Sequence, residues 1–113
     1  MSMIFEQGEF VELDFNPSVG HEPIKRRPAL VVSSSRLNSV ISSLTVVCPI
    51  TSTDNKHPLH IRLTEDEKVD GFVCVEQLRS VDMARRNAKT LDVYIKQETM
   101  SKVLEYIGAV FEI

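Results

Sequence analysis

The chain contains no tryptophan and only two cysteines in 113 residues. It has no apolar run approaching the ~18 residues that a membrane helix needs, so no membrane association is expected. No GxxxxGK[ST] or GxGxxG loop is present to cradle a phosphate, and no GxSxG elbow to carry a nucleophilic serine. Paired Cys motifs and HExxH are absent as well. His57 and His60 are three apart, a spacing that on a strand sends the two rings to opposite faces, so no zinc site is expected. Cys48 and Cys74 each lie inside an apolar, strand-like run without CxxC spacing. They read as buried free thiols in a reducing compartment. Met1-Ser2-Met3-Ile4 lacks the charged n-region and apolar stretch of a signal peptide, and a cytoplasmic location is expected.

What is there fits a single domain spanning residues 1–113. A hydrophobic fraction of 42% argues against disorder. A core of this size is marginal, so a dimer interface is a natural supplement. The formal net charge of −3 does not advertise a nucleic-acid binder, but it hides a distribution. Acids concentrate at Glu6 to Asp14, at Glu65 to Asp70 and near the C-terminus. Bases concentrate at Lys25 to Arg27 and at Arg79, Arg85, Arg86 and Lys89. If those two basic clusters converge, they make a positive face on an acidic protein.

Taken in order, Phe10 to Phe15 alternates as a half-buried strand, with Glu12 and Asp14 on its polar face. Ala29-Leu30-Val31-Val32 is continuously apolar and reads as a central strand covered on both faces. Ser33 to Ser43 is serine-rich and mainly loop, with at most a helical turn at Leu37 to Ile41. Leu44 to Cys48 is a β-branched strand that Pro49 is expected to end, leaving Thr51, Ser52 and Thr53 on a loop. Leu59 to Leu63 alternates as a fourth strand. Thr64 to Asp70 reads as solvated acid, and Asp70-Gly71 as a turn leading into strand Phe72 to Val75. Glu76 to Asp82 continues that strand or starts a sixth, Met83 to Lys89 reads as loop, and Thr90 to Tyr94 as one more short strand. From Gln97 the period changes: Met100, Val103, Leu104, Ile107, Val110 and Phe111 mark an amphipathic helix. The expected fold class is mainly β, a small antiparallel SH3-like barrel of about five to seven strands with this C-terminal helix.

The stretch with the most chemical potential is Gly20-His21-Glu22-Pro23-Ile24-Lys25-Arg26-Arg27-Pro28. Pro28 fixes its own φ and holds Arg27 extended, which presents a guanidinium at the mouth of a buried strand. Arginine, hydroxyl, histidine and carboxylate suit RNA cleavage by the substrate's own 2′-hydroxyl. That reaction needs a proton acceptor, a donor to the leaving 5′ oxygen and cationic donors for the phosphorane-like transition state. Residue types alone make this a weak signal.

Five segments in register make a stronger one. Gly8-Glu9-Phe10-Val11-Glu12-Leu13-Asp14, Gly20-His21-Glu22, Arg27-Pro28-Ala29-Leu30-Val31-Val32-Ser33, Pro49-Ile50-Thr51-Ser52 and Glu76-Gln77-Leu78-Arg79-Ser80-Val81-Asp82 together resemble the MazF/PemK/Kid family of toxin–antitoxin ribonucleases. His21 and the Met83 to Lys89 segment resemble the PemK/Kid branch more. The resemblance implies a homodimeric toxin that cleaves single-stranded mRNA at short sequences without metal or cofactor. It implies 2′,3′-cyclic phosphate and 5′-hydroxyl ends, a cognate antitoxin protein as partner, and operator DNA reached through the antitoxin complex. By the same resemblance Arg27 matches the arginine of acid/base and phosphate work, Thr51 the threonine that orients the scissile phosphate, and Glu22 a supporting glutamate. Glu76 stands where Kid-like members carry a proposed aspartate base, and His21 where they contact RNA. Lys25, Arg26, Ser52, Arg79 and Arg85 complete the expected RNA-binding set. Cys74 departs from the family pattern, standing where Kid-like members place an arginine proposed as proton donor.

Each residue also has a plainer reading. Arg27 would cap a strand or pair with Glu22, Thr51 and Ser52 would bond their own backbone, and Glu76 would pair with Arg79. Two other functions stay open: a CcdB-like, non-enzymatic gyrase poison, which the missing tryptophan disfavours, and a degenerate member that only binds.

Overall fold

Among the described residues the chain forms seven strands and two α-helices. A computed structural model describes residues 4–16, 25–41 and 44–112. The strands are β1 (Glu9–Asn16), β2 (Lys25–Val31), β3 (Thr45–Thr51), β4 (His60–Arg62), β5 (Phe72–Cys74), β6 (Arg79–Val81) and β7 (Lys89–Tyr94). Helix α1 (Ser35–Val40) follows β2, a 3₁₀ turn (Val75–Gln77) follows β5, and α2 (Gln97–Phe111) ends the chain. The strand order is β4-β5-β3-β2-β1-β7, with β6 added to β3, and every pairing is antiparallel. The sheet curls into an open, barrel-like form, mainly β with a C-terminal helix.

The middle strands are apolar on both faces because each face has its own core. On one side Phe10, Leu30, Cys48, Ile50, Val73 and Val75 pack beneath Met100 and Val103 of α2. On the other, Val11, Leu13, Ala29, Val31 and Val47 pack with Phe5, Met83 and Ala88. Full burial of one such side chain contributes about 1.5–3 kcal/mol. The reading of β2 as covered on both faces agrees with this arrangement. That of β1 as half-buried does not, since Phe10 is buried on the face opposite Val11, and Asp14 is buried too.

Three further expectations are corrected. Pro49 does not end β3, which runs on to Thr51 with Pro49 opposite Ala29. The far edge of β3 pairs β6 at Thr45–Val47 and β5 at Ile50–Thr51, so Pro49 stands where that edge changes partner and a missing N–H is tolerated. The Ser33 to Ser43 stretch holds a real helix, α1. It is capped by Ser34 Oγ accepting from Leu37 N–H and is pinned by buried Asn38, which donates to the carbonyls of Phe5 and Ser33. Finally, the acidic Thr64–Asp70 segment is not all solvated. Glu67 is buried and its carboxylate accepts from Lys96 N–H and Thr99 Oγ1 at the start of α2.

The apolar stripe of α2 is also only partly used: Met100 and Val103 are buried, while Leu104, Val110 and Phe111 are exposed.

Candidate active site

The register of the two central strands places Arg27 beside Thr51. Ala29 pairs with Pro49 and Leu30 with Cys48 in antiparallel ladder; continued two residues beyond the last paired position, that register sets 27 across from 51. Both residues line a cavity of about 230 Å³ together with Ser52, Thr53 and Asp70. Arg27 also borders a second cleft of about 330 Å³, with Phe15, Gln77 and Arg79 on its walls. One exposed guanidinium thus stands between two concavities. A further cavity between β7 and α2 is lined by no charged side chain.

Thr51 differs from the expectation of a loop residue: it is the last residue of β3 and half-buried. Its Oγ1 accepts the N–H of Thr53 at 3.2 Å, which orients the hydroxyl and leaves its own hydrogen for a ligand. Ser52 and Thr53 are exposed. Behind Thr51 the backbone is closed by Gly71, at φ +125°, where a Cβ would lie 2.5 Å from the Thr51 carbonyl oxygen. Only glycine fits that approach.

Glu76 sits in the 3₁₀ turn after β5. Its Oε2 lies 2.8 Å from His60 Nε2 and 3.4 Å from Gln77 Nε2, while Oε1 is buried without a partner. Burial pushes this carboxyl up. The His60 hydrogen bond, the turn's backbone and the charges of His60 and His57 outweigh that, so its pKa falls below the ordinary value and the group is ionised at neutral pH. Cys74 marks where these residues meet. Its thiol donates to the Phe72 carbonyl at 3.8 Å and feels the charges of Glu76 and Arg27. Burial, then Glu76, raise the thiol's pKa, so Cys74 stays neutral and supplies no cation at this position.

The other basic residues divide by what already holds them. Arg26 is not free for an RNA backbone. It donates to Glu12 Oε1 and Asp14 Oδ1 at 3.1 Å each and to the carbonyls of Glu12 and Asn87. Its charge is matched by two carboxylates within the fold. Arg79 Nη2 donates to Phe15 O at 2.9 Å, with its guanidinium 4.7 Å over the Phe15 ring. Arg86 donates to the same carbonyl at 2.6 Å. Burial and the neighbouring Arg86 lower the Arg79 pKa. Arg79 still borders the second cleft, so the pair anchors the end of β1 and sets a cation there. Arg85 is exposed, with its backbone N–H bonded to Asp82 Oδ1. Lys25 opens β2 opposite Asn16. His21 and Glu22 lie outside the described residues.

Sequence reasoning missed two groups. Arg86 reads in the sequence only as one member of a basic cluster, and nothing in its segment signals the distant Phe15 carbonyl. His57 and His60 were set aside on strand geometry, but β4 starts only at His60 and His57 precedes it in a turn. Their rings stack at 5.0 Å, tilted by 23°.

A curled antiparallel sheet that sets an exposed arginine and a half-buried threonine on one cavity at the end of β3 is the architecture of the toxin ribonuclease class. The chain matches, over residues 6–111, the family model of the PemK-like, MazF-like toxin of type II toxin–antitoxin systems, and it belongs to that family. It is 35% identical to the endoribonuclease toxin ChpB of Escherichia coli, over 96% of this chain and 95% of that protein. It is 30% identical to the endoribonuclease PemK of Escherichia coli, over 93% of this chain and 80% of that one. A MazE–MazF crystal structure from Deinococcus radiodurans superposes with a TM-score of 0.88 at 32% identity, covering 98% of both chains. The protein is thus an enzyme of the type II toxin endoribonuclease family.

Proposed function

We propose that this toxin cleaves single-stranded mRNA at short sequences by attack of the substrate's 2′-hydroxyl, independently of metal, leaving 2′,3′-cyclic phosphate and 5′-hydroxyl ends. The observation that carries the reading is the cavity shared by Arg27 and Thr51 at the paired ends of β2 and β3. A scissile phosphate seated there would meet the Arg27 fork and the free hydrogen of the Thr51 hydroxyl. Charge building on the phosphorane oxygens strengthens both contacts in the transition state. Glu76, ionised and held by His60, is the acceptor proposed for the 2′ proton. Arg79 in the adjoining cleft, with Ser52 and Arg85, is proposed to track flanking phosphates. His21, Glu22 and Lys25 keep their proposed roles from the family resemblance. Arg26 is left to the fold.

The working form proposed is a cytoplasmic homodimer, inhibited by a cognate antitoxin and reaching operator DNA only through it. An extended, acidic antitoxin segment laid over the groove would occupy the Arg27 cavity and fold as it binds.

The test is purified, antitoxin-free protein with a long single-stranded RNA in EDTA, with the fragment ends mapped. Discrete cuts with cyclic-phosphate ends are expected, and Arg27→Ala should lower the rate by roughly 10²–10³ with an unchanged circular dichroism spectrum. A second reading, a member that only binds, is favoured by one observation: the neutral, buried Cys74 at the position of a family arginine. Intact RNA from folded protein would select it.

A further inference from the structure

Beside the cleavage groove, three ligand-capable side chains converge without a role in the fold that explains them. One donor atom each from His57, His60 and Glu76 lies within 4.8 Å of the other two. The His60 side chain is only 4% exposed. Two atoms of this cluster, His60 Nδ1 and Glu76 Oε1, are buried with no hydrogen-bond partner. Each buried polar atom left without a partner calls for an explanation, a ligand, ion or water among them, and here both belong to residues of one cluster.

We propose that His57, His60 and Glu76 form a site for a borderline-soft divalent cation of the zinc class, and that its occupancy withholds Glu76 from RNA. Two imidazoles and one carboxylate make the donor set that zinc takes in three-ligand sites, with a fourth position for water. The same set is poor for magnesium or calcium, which select oxygen ligands. His57 is exposed, so the cluster can be reached from solvent.

The arrangement is that of an open site. Tetrahedral zinc with bonds near 2.1 Å would set its ligand atoms about 3.3 Å apart, so the cluster must contract by on the order of 1 Å. Most of that movement falls on His57, whose ring is tied by one bond, Nδ1 accepting Leu59 N–H at 3.0 Å. The 2.8 Å bond between His60 Nε2 and Glu76 Oε2 already holds those two side chains together, and it leaves His60 Nδ1 and Glu76 Oε1 without partners. Cys74, opposite His60 across the β4–β5 ladder, remains a neutral thiol and is not required.

The binding claim stands on the cluster alone. The inhibition claim rests on the proposed role of Glu76 in cleavage. Titration calorimetry of zinc chloride into the full chain at neutral pH tests the first, with His57→Ala as the variant, since His57 is exposed and its loss leaves the core intact. One zinc per chain with micromolar affinity, weakened at least tenfold by His57→Ala, and no comparable heat with magnesium chloride, are the expected results. Absent zinc binding, or equal affinity in wild type and variant, overturns the site. RNA cleavage with and without micromolar zinc, each protein compared with its own rate in EDTA, tests the second. Inhibition of wild type that His57→Ala relieves is expected. Zinc bound at the site with cleavage unchanged leaves the site standing and removes Glu76 from the reaction.

Discussion

At the scale of single residues, a glycine and a thiol are the sharpest probes of the cleft and the core. Gly71 touches the backbone that carries Thr51, with no room for a methyl and a positive φ besides. Gly71→Ala should therefore displace the Thr51 carbonyl, cost about 1–3 kcal/mol of stability and lower cleavage more than substrate binding. Chemical denaturation, with KM and kcat measured separately, checks this; a fall confined to stability would place Thr51 outside the reaction. Cys48 is fully buried, and its thiol is pushed from its ordinary 9.0 to about 12 by burial, then by Cys74 and Glu76. A folded pKa above the unfolded one means that the thiol's contribution is fully present below pH 9.0 and is lost as pH rises toward 12. The wild-type Tm should fall more steeply than that of Cys48→Ala between those limits. Parallel curves would mean that other groups carry the alkaline loss.

At the scale of elements, α2 depends on a side chain supplied by a distant loop. Its N-cap residue, Lys96, makes no side-chain capping bond, and the role passes to Glu67, whose carboxylate takes the Lys96 N–H and the Thr99 hydroxyl. The same carboxylate lies at the positive end of the helix dipole. Glu67→Ala should cost about 1–2 kcal/mol in urea unfolding and leave cleavage per folded molecule unchanged. A loss below a few tenths of a kcal/mol would show that solvent caps the helix equally well. This contact also shows what a sequence discloses and what it hides. The patterns of β1, β2 and α2 are local, so alternation, continuous apolarity and three-four spacing disclosed them, and five segments in register singled out Arg27 and Thr51 as candidates. Glu67 looks like its acidic neighbours because burial depends on where Thr99 arrives, more than thirty residues later. Pro49 reads as a strand end because its tolerance depends on β3 changing partners at that point. His57 and His60 were separated on paper by assuming a strand where a turn stands.

At the scale of the whole molecule, the question is how an acidic chain holds a polyanion. The formal net charge is −3, and some of its basic side chains are already engaged within the fold. Arg26 is shared between Glu12 and Asp14, Lys96 pairs with Asp66, and Arg86 is bound to the Phe15 carbonyl. The cations that border the clefts beside Thr51 are Arg27 and Arg79, so binding should depend on these two foremost. Release of counterions from single-stranded RNA gives a slope of about −0.7 in log affinity against log salt for each phosphate engaged. With two or three contacts the slope should be about −1.4 to −2.1, measured on an RNA with 2′-deoxy substitutions that prevent cleavage. Arg27→Ala should reduce its magnitude by about 0.7, whereas Arg26→Ala should leave the slope unchanged and act on stability instead. A slope near −5, or one that Arg26→Ala flattens, would mean that the ion pairs of the free protein open on RNA and that the positive face is built only when the substrate arrives.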